Sequence, residues 1–172
     1  MKAIAVGGDD VLALINFVMP MGSHVPSYGE LSSAIAQAST EDPLFPERDD
    51  GCLLTAILLI AIAFCGSGFH TSLVGNNGKA YGVYQIQHVP PDVSLNKLLT
   101  PRDASYIAIS LIRESLLVNR DRPWQERLAY FFRQSDNGRA LQQSMERMNV
   151  VEKLRQNRPA SWIAKLPQGS PR

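Results

Sequence analysis

Residues 52–65 read CLLTAILLIAIAFC, fourteen positions without a charge. A run this apolar has no polar face to turn to water. It predicts a helix covered on every side by the rest of the chain. A membrane span needs about 20 apolar residues, and the flanks, Asp49-Asp50-Gly51 and Gly66-Ser67-Gly68, bring no Lys or Arg anchors. The expectation is therefore a buried central helix and no membrane span. Cys52 and Cys65 close the run at either end. Thirteen helical steps of about 1.5 Å separate them by about 20 Å, far beyond disulfide reach, so both are expected to be free thiols.

Covering such a helix takes several partners, and 172 residues with 45% hydrophobic content supply one domain's worth. Charged residues make up 19% and the net charge is +1, which excludes a disordered polyelectrolyte and a strongly basic nucleic-acid binder. The charge is uneven. Residues 1–50 carry 8 acidic and 2 basic side chains and residues 51–172 carry 8 and 15, giving −6 and +7. The back portion thus attracts anions mildly, as Arg-rich solvated helix faces also would. At the N-terminus, Asp9 and Asp10 interrupt the apolar residues early, so no signal peptide is expected.

Three regions follow from the punctuation. Residues 1–46 read as an N-terminal arm or packing extension, with short helices near Val11–Met19 and over 29–39, and with Pro43 and Pro46 breaking the chain. Residues 47–157 read as the main domain, and residues 158–172, rich in proline, as an irregular tail. Within the main domain Asn76-Asn77-Gly78 marks a turn in a Gly-rich segment, a small hairpin at most. Thr100-Pro101-Arg102-Asp103 has a helix-start pattern, Thr as cap and Pro at the first position. A further helix is expected from Asp121-Arg122-Pro123 through Trp124, Leu128 and Phe131 or Phe132. The last is expected to bury Leu141, Met145, Met148 and Val151. The fold class is α+β, mainly α.

The stretch that carries chemistry is AIAFCGSGFHTSLVGNNGKAYGVYQIQ, residues 61–87. An apolar helix runs into Gly66-Ser67-Gly68-Phe69, and Gly82-Val83-Tyr84-Gln85-Ile86 follows sixteen positions after Gly66. This pairing resembles the core of the soluble lytic transglycosylase family, which has a lysozyme-like fold and cleaves the glycan strands of bacterial peptidoglycan. The resemblance covers about residues 50–156. It implies a lysozyme-like fold with a buried central helix and a small Gly-rich hairpin region. It also implies peptidoglycan glycan as the partner, no cofactor and no metal. Ser67, Gly82, Val83, Tyr84 and Gln85 are the implied substrate-binding positions, with Tyr84 stacking on a sugar ring and Gln85 reaching its polar groups. Leu128-Ala129-Tyr130-Phe131 is the nearest match to the family's third motif and adds Tyr130, with Phe131 where the family has Asn.

The departure lies at the catalytic position. The family's glutamate falls at Gly66. The resemblance implies that this one acid protonates the glycosidic oxygen and then takes a proton from the sugar's own hydroxyl, leaving a 1,6-anhydro product. Glycine can do neither. A natural loss and an introduced Glu→Gly change would both give this residue, and a glycine after an apolar helix is also the expected left-handed cap. A glutamate restored at position 66 is expected to have its carboxyl raised toward neutrality by the apolar helix and so to bring back some transglycosylase activity. Two function classes stay open. One is an enzyme using another carboxylate, Glu114, Glu126 or Asp92. The other is a non-catalytic binding or structural module of a phage particle or a cell-wall-crossing assembly. The resemblance implies work at the cell wall, in the periplasm or from a virion.

Other chemistries fit poorly. His24, His70 and His88 lack metal-ligand spacing. Gly75-Asn76-Asn77-Gly78-Lys79 is not a phosphate loop, and Cys65-Gly66-Ser67-Gly68 is not a complete nucleophile elbow.

Overall fold

A computed structural model of the chain describes residues 4–19, 28–132 and 137–157; the tail expected over 158–172 lies outside the described residues. Among those residues the fold is mainly helical with one two-stranded sheet. The order is α1 (Gly8–Val18), α2 (Tyr28–Glu41), α3 (Gly51–Ser67), β1 (Val74–Gly75), β2 (Ala80–Tyr81), α4 (Leu95–Leu98), α5 (Pro101–Val118) and α6 (Asn137–Gln156). A 3-10 turn at Trp124–Glu126 lies between α5 and α6.

Helix α3 is the apolar run, and it is buried from Gly51 to Ala63 without a break. Helices α1, α2, α5 and α6 all pack on it. Both N-terminal helices belong to the same core: Val11, Leu14 and Ile15 of α1 and Leu31 and Ile35 of α2 join the α3 side chains in one cluster. Residues at the end of α2 tie it to α5, through Tyr106 Oη to Glu41 and Arg113 Nη2 to Asp42 Oδ1 at 2.6 Å. No helix among the described residues is long and apolar enough to cross a membrane. Cys52 and Cys65 are both free.

Three local expectations need correction. The helix starting at Thr100 forms, yet the Thr100 hydroxyl does not cap it; it donates back to the Lys97 carbonyl at 3.0 Å. Residues 121–132 do not form a continuous helix. The Leu128 and Phe131 N–H groups bond instead to the buried hydroxyls of Ser144 and Ser115, at 3.1 and 3.0 Å. Those bonds satisfy backbone that a helix would have paired internally. In α6 the buried face holds Ala140, Ser144, Arg147, Met148, Val151 and Leu154, whereas Met145 is exposed. The apolar count favoured Met145; the actual face instead accepts a serine and an arginine.

The turn that positions the candidate site depends on Gly82. Its φ is +70°, and a Cβ there would lie 1.7 Å from the Leu98 carbonyl oxygen. Both the backbone angle and the close approach require glycine. We expect Gly82→Ala to cost about 3 kcal/mol or more. By contrast Gly29→Ala, in helical backbone of α2 with no atom of the described residues within 4 Å of the new methyl, is expected to gain about 0.5 kcal/mol. Chemical denaturation of the two variants beside the parent chain tests the contrast.

Candidate functional site

The two halves of the sequence motif meet at the C-terminal end of α3. The helix continues through Gly66 and ends at Ser67, and Gly68 supplies the left-handed cap with φ 59° and ψ 36°. The cap role expected of Gly66 therefore belongs to Gly68. Gly66 sits in ordinary helical backbone, and a Cβ there would make only normal contacts, 3.5 Å to Gln85 Cγ and 3.7 Å to the Tyr84 carbonyl. Opposite, Tyr81 and Ile86 exchange backbone hydrogen bonds at 3.1 and 3.0 Å, closing residues 82–85 into a tight loop. The Ser67 hydroxyl joins the halves. It is buried and lies 2.7 Å from the Val83 carbonyl it donates to, with the Ala63 carbonyl one turn back at 3.2 Å. Ser67 is thus a tie between helix and loop.

Gln85 lies in the left-handed region at φ 51°. Its side-chain N–H₂ donates to the Gly82 carbonyl at 2.9 Å and the Leu73 carbonyl at 3.1 Å, holding it across the loop. Val83 is buried at 1% exposure and serves the core.

The stacking role expected of Tyr84 does not suit its position. The residue is 1% exposed, and its hydroxyl lies 2.7 Å from Ser105 Oγ. Ser105 gives its own proton to the Pro101 carbonyl at 2.7 Å, so Tyr84 donates. Burial pushes the phenol well above its ordinary pKa. The alternation around Tyr84 is that of a loop residue plunged into the core, where its ring locks the loop to α5.

A cavity of about 270 Å³ opens beside Gly66. Cys65, Gly66, Gln85, Gln87, Phe132, Gln143 and Arg147 line it, with Arg139, Asn76, Ala80 and Tyr84 completing the wall. No carboxylate is among these described residues. Burial pushes the Cys65 thiol up, partly countered by Arg147, so Cys65 is no ready nucleophile. Arg147 was not anticipated from sequence, because its position on α6 reads as one more surface charge. Its guanidinium lies over the Phe132 ring, Cζ 4.7 Å from the centroid.

Tyr130 is not brought to this cavity. It lines a second one of about 280 Å³, with Ile86, His88, Pro90, Leu111 and Glu114, and its hydroxyl donates to Glu114 Oε1 at 2.9 Å. Of the carboxylates considered as substitutes, Glu114 faces this second cavity. Glu126 pairs with Arg122 at 3.3 Å, and Asp92 is an exposed turn residue. Among the described residues no cluster of His, Cys, Asp or Glu could hold a metal ion. Comparison of the chain with protein-family models, with curated proteins and with solved structures found no match.

The burial of Tyr84 has a measurable consequence. Above about pH 10 tyrosines of the unfolded chain ionise, while Tyr84 in the fold keeps its proton. The unfolded state then binds fewer protons, so stability falls as pH rises beyond that point. Tyr84→Phe should cost about 1 kcal/mol at neutral pH and make the alkaline decline shallower. Urea unfolding at neutral and strongly alkaline pH checks both signs.

Proposed function

We propose that this chain recognises peptidoglycan glycan strands in the manner of a lytic transglycosylase whose acid is missing, so that it binds without cleaving. The lysozyme-like fold belongs to this reading: a buried central helix ends at the cleft, and the Gly82–Gln85 loop forms the opposite lip. The observation that carries it is the meeting of Gly66 and Gln85 across one cavity, with helix and loop tied through Ser67 and Val83. That is the juxtaposition a general acid and a sugar-contacting loop need. The lining offers amides suited to hydroxyl and N-acetyl groups, while its carbon surface comes from Phe132 and Ala80 rather than an exposed Tyr84 ring.

The non-catalytic class, a binding or structural part of a phage particle or wall-crossing assembly, is favoured over an enzyme by the lining itself. General acid catalysis requires a carboxylic acid within hydrogen-bond reach of the leaving oxygen, and none of the described lining residues bears one. The chain is expected to sediment with purified peptidoglycan and to release no 1,6-anhydromuropeptides by mass spectrometry. Absence of sedimentation would remove the glycan reading. Release of anhydro products would remove its non-catalytic part and point to Glu114.

Restoring the acid tests the same cavity. The apolar helix alone would raise a carboxyl at position 66, but Arg147 shares the cavity and favours the ionised form. Gly66→Glu is therefore expected to fold, since helical backbone and ordinary contacts await its Cβ, yet to remain inert on peptidoglycan. Adding Arg147→Gln should free the carboxyl to hold its proton and give anhydro products at mildly acidic pH. Equal inertness of both would mean that more than one side chain separates this site from a working one.

A further inference from the structure

The cavity beside Gly66 has an electrostatic character that a neutral glycan does not use. Two arginines, Arg139 and Arg147, line it together with four amide side chains and no described carboxylate. Arg147 is the decisive member. Its side chain is only 8% exposed, and arginine is rarely buried unless fully paired. Nη1 donates to the Gln143 carbonyl and to the exposed Glu146 carboxylate, each at 3.2 Å. Nη2 reaches the Cys65 carbonyl only at 3.5 Å. Among the described residues Nε has no partner, and neither does the buried Oε1 of Gln143 on the same wall. Burial pushes the Arg147 pKa down, though guanidinium remains charged in proteins. A desolvated cation with an idle N–H is a cost that a ligand can offset.

The fork of a guanidinium matches a planar oxyanion. Charge balance favours a monoanion over a phosphate dianion, because the C-terminal end of α3 brings carbonyl dipoles to the same place. At about 270 Å³ the space is small for an organic ligand, and its amide-rich wall suits hydroxyl groups. We propose that this cavity is a binding site for the carboxylate of a sugar acid, with Arg147 gripping the carboxylate and Gln87 and Gln143 meeting the hydroxyls. This site stands on its own charge and does not require the peptidoglycan reading.

The test is a set of titrations of the full chain, followed by backbone amide shifts in NMR. Glucuronate is compared with glucose, and N-acetylmuramic acid with N-acetylglucosamine. Each acid is expected to bind at least about tenfold more tightly than its neutral partner, with shifts centred on Gln85, Gln143 and Arg147. Arg147→Gln should erase that preference, and Arg147→Lys should keep only part of it; melting curves report whether the variants fold. The comparison of acid with neutral sugar needs no variant. Equal affinity within both pairs overturns the proposal, as does inorganic phosphate binding more tightly than any carboxylate. Acetate binding as tightly as the sugar acids overturns the sugar assignment. Retention on peptidoglycan without preference for an acid would remove this site and leave the glycan reading intact. Acid-selective binding without retention on peptidoglycan would do the reverse.

Discussion

Burial of α3 on every side is the constraint to which the other elements answer. Each of its fully buried Leu and Ile side chains stabilises the fold by about 1.5–3 kcal/mol, but only if something covers it. That need draws α1, α2, α5 and α6 onto one helix and puts the N-terminal residues into the same core as the rest. A helix apolar all round has no face of its own to set its rotation. Polar pins at its ends do that. Near the start, buried Thr55 accepts from the Leu44 N–H at 2.9 Å. At the end, Ser67 donates to the Val83 carbonyl. Each bond lies where a mismatched rotation would leave a buried polar group unpaired.

The C-terminal pin also builds the candidate site. Ser67 holds the 82–85 loop against the helix, Gly82 lets the chain pass the Leu98 carbonyl, and the Tyr84 phenol anchors the loop to Ser105 on α5. Gln85 is left at the surface of this assembly, facing Gly66. The apolar support thus ends at a polar cavity without an intervening layer. Residues closest in sequence divide their work sharply: Val83 and Tyr84 are core, whereas Gln85 faces the cavity.

Much of this was legible in the chain itself. The uncharged run, the turn at Asn76-Asn77-Gly78 and Pro101 all act through local chemistry, and each produced the expected element. Less legible were features decided by contacts between distant residues. Tyr84 looks like a sugar-stacking residue until α5 places Ser105 beside its hydroxyl. Tyr130 follows the family order but turns to Glu114. The expected helix over 121–132 gives way because Ser115 and Ser144, on two other helices, take its backbone bonds. The buried face of α6 includes Arg147 because Phe132 offers a ring for the guanidinium to cover.

By itself the sequence determined that this chain buries one helix completely, turns at Asn76-Asn77-Gly78 and starts a further helix at Pro101. Those outcomes rest on hydrophobicity, backbone freedom and turn propensity, which belong to single residues and their near neighbours. Tertiary structure alone decided which side chains line the cavity and what charge it carries. The distance from Cys65 to Arg147 along the chain is 82 residues, and no local pattern encodes their meeting. Burial then changes what those groups can do: a guanidinium that water would have satisfied on every side keeps, inside the fold, one N–H without a partner among the described residues.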